Sequence, residues 1–274
     1  AKFQNQALPL VKGEAPFVQT LVDNDERGFS FDDIAGRSAG AAIASTGGEV
    51  LKTGKDAIEI LGDDGEKRSI PIYNNFLFNR KTAINSKPIV RKGDRVEEGQ
   101  IIAKSNYTDD NGTLSLGLNA RIGVVPYKGH SLDDSIVISE AFAKRLSSDH
   151  MESFSTDYKK GIKGGKAHHM GIFGSSRGKD YYNNTQLDKL DDDGVAMVGQ
   201  VLQPGDPMIL ATKPKSVSST SAQLGKLSNF MKNSRSDATQ TWEGAGPGLV
   251  TDVVKNKNRA KLSVQSIKPS KVGD

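Results

Sequence analysis

The stretch GLNARIGVVPYKGHSLDDSIVISEAF, residues 117–142, runs apolar, turns through Gly129 to Leu132, sets Asp133 and Asp134 side by side, and re-enters an apolar run at once. Adjacent carboxylates repel one another or share a cation. On one reading the pair caps amides within a turn. On the other it faces a hard cation such as Mg²⁺, which takes one or two carboxylates together with phosphate oxygens and water. Spacing alone does not separate the two. The flanking runs, Ala120 to Pro126 and Ser135 to Ile138, are predicted strands.

Outside that stretch, turn residues recur about every 8–12 positions between short apolar runs, the pattern of a β-rich chain. Ala57 to Leu61 and Ile70 to Tyr73 flank the turn GDDGE and predict a hairpin; Lys87 to Arg91 and Gln100 to Ala103 are further predicted strands. PIVRKGDRVEEGQIIA (88–103) and VGQVLQPGDPMILATKPK (198–215) echo each other, and KPSKVGD (268–274) is a truncated third copy. Each holds a Gly-Asp turn beside apolar residues, where Gly supplies a permissive backbone and Asp bonds neighbouring amides. Helical signal is sparse. Ser139 caps a short predicted helix through EAFAKRLSS, and Ser221 to Lys232 sets Leu224, Leu227, Phe230 and Met231 on one stripe. Between them, TDYKKGIKGGKAHHMGIFGSSRGKDYYNN (156–184) has no sustained period and reads as a mobile exposed loop, as does Lys215 to Ser221.

The 274 residues contain no cysteine, so disulfides and thiolate metal sites are excluded and any metal falls to oxygen or to the four histidines. His168-His169 makes a poor zinc site, because neighbouring side chains in extended chain point apart. Lys159, Lys160, Lys163 and Lys166, interleaved with Gly, either follow a phosphate backbone or form a solvated loop. A net charge of +4 favours an anionic partner weakly. Catalytic signatures of the GxSxG, Walker or HExxH type are absent. No apolar run approaches the roughly 20 residues that span a bilayer, and the N-terminus lacks a signal-peptide profile, which predicts a soluble, unexported chain. The start at AKFQNQALPLV and the stop at PSKVGD both read as boundaries within a longer protein.

LGLNARIGVVPYKGHSLDDSIVISE resembles the segment of multisubunit DNA-directed RNA polymerase β subunits that runs Leu-Gly-x-Asn, a short apolar strand, Pro-Trp-x-Gly-Tyr-Asn-x-Glu-Asp-Ser-Ile and Ser-Glu. FQNQALPLVKGEAPFVQT resembles that family's Met-Gln-Arg-Gln-Ala-Val-Pro stretch. PIVRKGDRVEEGQIIAKSNYTDDNGTLSLGLN resembles its Gly-Asp-x-Val-x-x-Gly-x-x-Leu-Ala run, and VGQVLQPGDPMILATKPK, GPGLVTDVV and RAKLSVQSIKPSKVGD resemble the start, a strand and the return strand of its flap. The chain departs from the family at His130-Ser131-Leu132-Asp133, where one carboxylate is a methylene shorter, and at Asn5, where the family has Arg. Divergence of this kind suggests a phage-type or otherwise remote polymerase.

The resemblance implies a mainly β fold with minor α: part of a double-psi β-barrel and barrel-sandwich hybrid region with an inserted β-rich flap. Its segments would be 1–75 (fork and nucleotide-entry side, with an inserted hairpin), 76–150 (hybrid and first part of the barrel), 151–258 (flap) and 259–274 (return strand). The flap would have a small core including Val198, Val201, Ile209 and Leu210. Asp133 and Asp134 would then lie in the environment of the nucleotide-borne second Mg²⁺, Asp134 acting on the metal indirectly, and Gln6 would contact RNA. The family's catalytic aspartates belong to the β′ partner, and its Lys-x-x-x-Arg-x-Gly-x-Lys-Gly motif would follow beyond Asp274, so no catalytic residue is expected in this chain alone. Implied partners are a β′-like subunit, the remaining β-like polypeptide, template DNA, nascent RNA, nucleoside triphosphates and a sigma-like factor at the flap, with no membrane. The implied location is the cytoplasm, of the host if phage-encoded, and virion packaging is compatible with it. The paired Gly-Asp turns also fit a second reading, a non-catalytic adaptor with a lipoyl-like barrel-sandwich hybrid fold.

Overall fold

Strands far outnumber helices in the computed structural model, which describes residues 7–22, 28–78, 81–130, 135–159, 161–174, 182–215 and 235–273. Two units divide the chain: Ala1–His150 with Ile267–Asp274, and Met151–Ser266. The fold is mainly β, as expected. Among the described residues no helix is long and apolar enough to cross a membrane.

The first unit opens with helix α1 (Phe31–Ser38), which Ser30 and Asp33 start by a reciprocal capping box. Strands β1 (Ala42–Ile43), β2 (Gly48–Thr53), β3 (Ala57–Gly62), β4 (Lys67–Pro71), β5 (Phe76–Phe78), β6 (Thr82–Ile84), β7 (Ser86–Pro88), β8 (Arg95–Val96) and β9 (Ile101–Ser105) follow, then helix α2 (Glu140–Arg145). They form sheets ordered β4-β3-β2-β8, β1-β9-β7 and β5-β6. The GDDGE turn closes the expected β3–β4 hairpin, pairing Leu61 with Lys67. Alternation then decides which side is core: Ile58 and Ile60 are fully buried while Glu59 between them is not, and Val50 pairs Ile60 from the next strand. Val96, Ile102 and Ala103 belong to the same cluster, with Ala44, Ile72 and Val90. Predicted strand ends shift by a few residues, since Ile70 to Tyr73 becomes Lys67–Pro71 and Lys87 to Arg91 becomes Ser86–Pro88.

Strand β10 (Ser148–Asp157) carries the chain into the second unit, which continues through β11 (Lys163–Gly164), α3 (Lys166–Phe173), α4 (Asn184–Leu187), β12 (Val201–Leu202), β13 (Pro207–Ile209), β14 (Ala211–Pro214), β15 (Arg235–Asp237), β16 (Gln240–Thr241), β17 (Gly248–Asn256) and β18 (Arg259–Lys268). Its sheets are ordered β10-β18-β17-β12, β11-β14-β15 and β13-β16. Ile209 and Leu210 are core as expected, but Val198 and Val201 are exposed at 60% and 46%. Leu202, not Val201, takes the inward position of β12.

The stretch read as one loop, 156–184, instead contains β11 and α3. Burial of a single side chain accounts for it: His169 is 2% exposed, bonds Asp237 Oδ1 at 2.9 Å, and lies beside the rings of Phe173 and Tyr182. The expected helix Ser221 to Lys232 lies outside the described residues, as does most of the expected loop Lys215 to Ser221.

The echoing segments build the same corner in each unit. Asp94 Oδ2 accepts from Arg91 N at 2.7 Å, and Asp206 Oδ2 accepts from Gln203 N at 2.8 Å. The glycine before each has φ near +90°, as does Gly273 in the truncated copy. The amides of Gly93 and Gly205 in turn bond the carbonyls of Val50 and Trp242.

Trp242 anchors the second core. It is 1% exposed, donates Nε1 to Gly246 O at 2.8 Å, and meets Phe154 edge-on at 5.9 Å. Glycine is required around it: a Cβ on Gly244 would stand 2.2 Å from the ring, and one on Gly248 would stand 2.9 Å from the ring and 2.5 Å from Val264. Gly248→Ala is therefore expected to cost about 1–3 kcal/mol by overpacking. Denaturant unfolding followed by the fluorescence of Trp242, the sole tryptophan, reads this directly. An unchanged midpoint would show that the ring does not depend on the bare backbone at 248.

Candidate functional site

The acidic stretch belongs to an excursion, residues 119–145, whose base is held by a segment from near the N-terminus. At one end Glu14 bridges to Gly117, with Glu14 N donating to Gly117 O at 2.8 Å. At the other, Leu10 bridges to Ser148, Val11 N donates to Ser147 O at 3.0 Å, and Asp149 N donates to Pro9 O at 2.8 Å. Gly13 permits the approach, because a Cβ there would lie 2.0 Å from Ser115 O.

Glu14 ties the two ends together. Its Oε2 accepts from Asn119 N at 2.9 Å and its Oε1 accepts from Arg145 Nη2 at 2.6 Å. Asn119 also donates Nδ2 to Ala15 O at 2.8 Å and accepts from Phe17 N at 3.3 Å. The Asn119 amide, with Arg145 beside it, holds the Glu14 carboxyl below its ordinary value against a smaller opposing effect of burial.

Within the excursion the chain reverses at Tyr127–His130, where His130 N donates to Tyr127 O at 2.9 Å and the two central residues, Lys128 and Gly129, both have positive φ. That is the pattern of a type I′ turn, which suits antiparallel strands. Beyond it, Ser135 Oγ donates to His130 O. The predicted strands Ala120 to Pro126 and Ser135 to Ile138 are nevertheless not strands here. Extended segments count as strands only when another backbone pairs with them, and none of the described residues does so. Their apolar side chains stay in solvent: Ile122 is 87% exposed, Val124 94% and Ile136 84%. Helix α2 closes the excursion as expected, with Ser139 Oγ accepting from Phe142 N at 3.1 Å.

Asp133, Asp134, Gln6 and Lys160 lie outside the described residues. The other lysines of the expected run divide. Lys166 turns inward and donates Nζ to Leu187 O at 2.8 Å, whereas Lys159 follows the end of β10 and Lys163 stands exposed on β11. His168 and His169 serve different partners, Thr212 Oγ1 at 3.1 Å and Asp237 Oδ1. No group of three or more metal-ligating side chains occurs among the described residues.

The family model described as "RNA polymerase Rpb2, domain 6" matches residues 54–274, which takes in the excursion and the whole second unit. The chain belongs to that family. It is similar to "DNA-directed RNA polymerase subunit beta" of Bartonella bacilliformis, with 32% identity over 266 residues, covering 93% of this chain and 18% of that protein. Proteins of the same name from Brucella canis and Brucella abortus are each 31% identical over 264 residues, with the same coverage. This Rpb2 domain 6 chain is thus a β-like polypeptide that spans about 18% of the length of the curated relatives it matches. The lipoyl-like adaptor reading is not favoured.

Sequence reasoning missed Glu14 and Arg145. Asn119 was in view only as part of the Leu-Gly-x-Asn resemblance. Their partners lie 105 and 131 positions from Glu14, and no local pattern reports such a pairing.

Because the folded pKa of Glu14 is lowered, its contribution is full above the ordinary Glu value of about 4.3 and fades as pH falls through the folded value. Hydrogen exchange at the Asn119 amide should be protected at neutral pH and lose protection in that acid window. Glu14→Gln should speed exchange on the order of tenfold at pH 7 and abolish the acid step. Equal protection in both proteins would remove the clasp from the account.

Proposed function

We propose that this chain supplies part of the nucleotide and RNA side of the active centre in a multisubunit DNA-directed RNA polymerase, and that it polymerises only in assembly. The observation that carries the reading is the match to the Rpb2 domain 6 family over residues 54–274, which embraces the acidic stretch. The exposed apolar side chains beside that stretch support it, since Ile122, Val124 and Ile136 would gain cover from another polypeptide. Partners on this reading are the remaining β-like polypeptide, a β′-like subunit, template DNA, nascent RNA and nucleoside triphosphates, in the cytoplasm. The divergence of the acidic stretch fits a phage-type or otherwise remote member. The second unit, Met151–Ser266, is proposed as the flap, facing exiting RNA and a sigma-like initiation factor.

Asp133 and Asp134 are hard oxygen donors, a donor set that suits Mg²⁺. Bound with a nucleotide, the ion would offset charge on the phosphates and the leaving oxygen. The part assigned to this chain is positional. Glu14, Asn119 and Arg145 hold the base of the excursion, the Tyr127–His130 turn reverses it, and on this reading the carboxylates of Asp133 and Asp134 would supply negative charge to the metal-nucleotide. Gln6, ahead of the same clasping segment, is assigned to the RNA end.

Reconstitution with the polypeptides carrying the rest of both large subunits tests the assignment on a primer-template with Mg²⁺ and nucleotides. Asp134→Ala should leave assembly intact and slow addition at limiting nucleotide by roughly 10- to 1000-fold, the range for removing one preorganised electrostatic group. Elongation at the unsubstituted rate would refute the role of the acidic pair.

A further inference from the structure

The second unit carries an open cavity of about 710 Å³ that the polymerase reading leaves unassigned. It lies between the end of β10, the β11–α3 corner, the loop at Asp193 and the tip of the β17–β18 hairpin. The sequence supplies the shape: Gly164 packs bare backbone on the ring of Tyr158, where a Cβ would come within 2.7 Å, and Gly165 has φ +115°. With Gly at the cap, α3 has no side-chain cap and no acid in its first turn.

The walls carry both signs of charge. Lys255 Nζ binds Asp191 Oδ2 and Asp193 Oδ2, each at 2.6 Å, which leaves a net negative cluster beside Tyr158. Lys163 and Lys257 contribute two exposed ammonium groups, and Arg235, bonded to Thr212 behind His168, adds a third cation. Both fields register on neighbouring groups. Burial foremost, then Arg235 and Lys163, hold His168 below its ordinary value, so it is neutral at pH 7. Burial foremost, then Asp193 and Asp191, push the Tyr158 hydroxyl up, so it stays a donor. An anion alone would use only the cations of such a cavity. A ligand that carries both a phosphate and polar N–H groups would use cations and carboxylates together.

We propose that this cavity binds a phosphorylated nucleoside, with its phosphate at Lys163 and Lys257 and its base edge toward Asp193 and Tyr158. Lys255 occupies only Oδ2 of Asp193, so Oδ1 remains to accept from the base. The ligand is either a free nucleotide or one residue of a single strand, which share this chemistry.

The test titrates the full chain with cytidine 5′-monophosphate, inorganic phosphate and a labelled single-stranded oligoribonucleotide. Lys163→Glu and Lys257→Glu, singly and together, should each weaken nucleotide binding about tenfold or more, as loss of a charged hydrogen bond does. Asp193→Asn should weaken the nucleotide and spare inorganic phosphate. Lys55→Glu, in the other unit, should change nothing. If the site takes a strand, the monophosphate displaces the oligonucleotide, and each lysine removed lowers the salt slope by about 0.7. If it takes free nucleotide, the monophosphate binds and the oligonucleotide ignores both lysines. The proposal falls if the monophosphate binds no tighter than to the double Glu variant, if Lys55→Glu weakens it equally, or if Asp193→Asn affects phosphate and nucleotide alike. All four positions are exposed or partly exposed, and a thermal melt of each variant confirms its fold. None of the cavity's lining residues belongs to the acidic excursion, so its failure leaves the polymerase reading standing.

Discussion

An extended backbone is stable as a strand only when a second backbone takes up its amides and carbonyls, and this constraint explains where the described residues form strands and where they do not. In the first unit, β2, β3 and β4 satisfy it locally, each reached from the last by a short turn. In the second, β17 and β18 do the same around the turn at Lys257–Asn258. Residues 120–126 and 135–138 have the same β-branched, alternating character and a type I′ reversal between them, yet none of the described backbone pairs with them. Their apolar side chains remain in solvent at a cost that burial elsewhere would remove. Composition therefore prepares a strand that topology has yet to complete.

What holds such a segment in place must come from its ends, and Glu14 is suited to that task because one carboxylate has two oxygens. One reaches a backbone amide and the other a guanidinium, so a single side chain fixes both ends of the excursion. The contact is partly exposed and its charges are screened, so it is a positional device more than a source of stability. The Gly-Asp corners are better placed to add stability where they are buried. Asp94 and Asp206 make the same backbone bond, but Asp206 is 4% exposed and also accepts from Lys189 and Gln186. Burial opposes its ionisation, and those bonds with that of Gln203 overcome it and hold its carboxyl low. The same sequence device thus serves as a surface turn in one unit and as part of the core in the other.

Legibility followed the range of the interaction. The GDDGE hairpin, the Ser139 cap and the echoing Gly-Asp corners were readable because each is decided within a few residues. Helix α3 was not, since its Gly- and Lys-rich sequence has no apolar period and is ordered by His169 reaching Asp237, 68 positions away. Val201 was misassigned because a two-residue strand is too short for alternation to choose a face. For the excursion, sequence marked its acidic pair, turn residues and Asn119, but it could not show that Glu14 and Arg145 converge on Asn119. Pairings at that separation leave no trace in a single sequence.

Charge placement in the second unit carries one more consequence. Three acids in succession, Asp191 to Asp193, would repel a phosphate chain if left open. Lys255 binds two of them from the hairpin tip, and Asp192 turns its carbonyl to the amide of Lys166. Lys166 meanwhile directs its ammonium to a backbone carbonyl, which removes it from any phosphate-following row. Lys163 on β11 and Lys257 at the hairpin turn stay exposed and, from distant parts of the chain, line one cavity. A run of lysines in sequence therefore does not stay a run in space: folding turns Lys166 to a backbone carbonyl and brings Lys257, which the run does not contain, to the cavity that Lys163 lines.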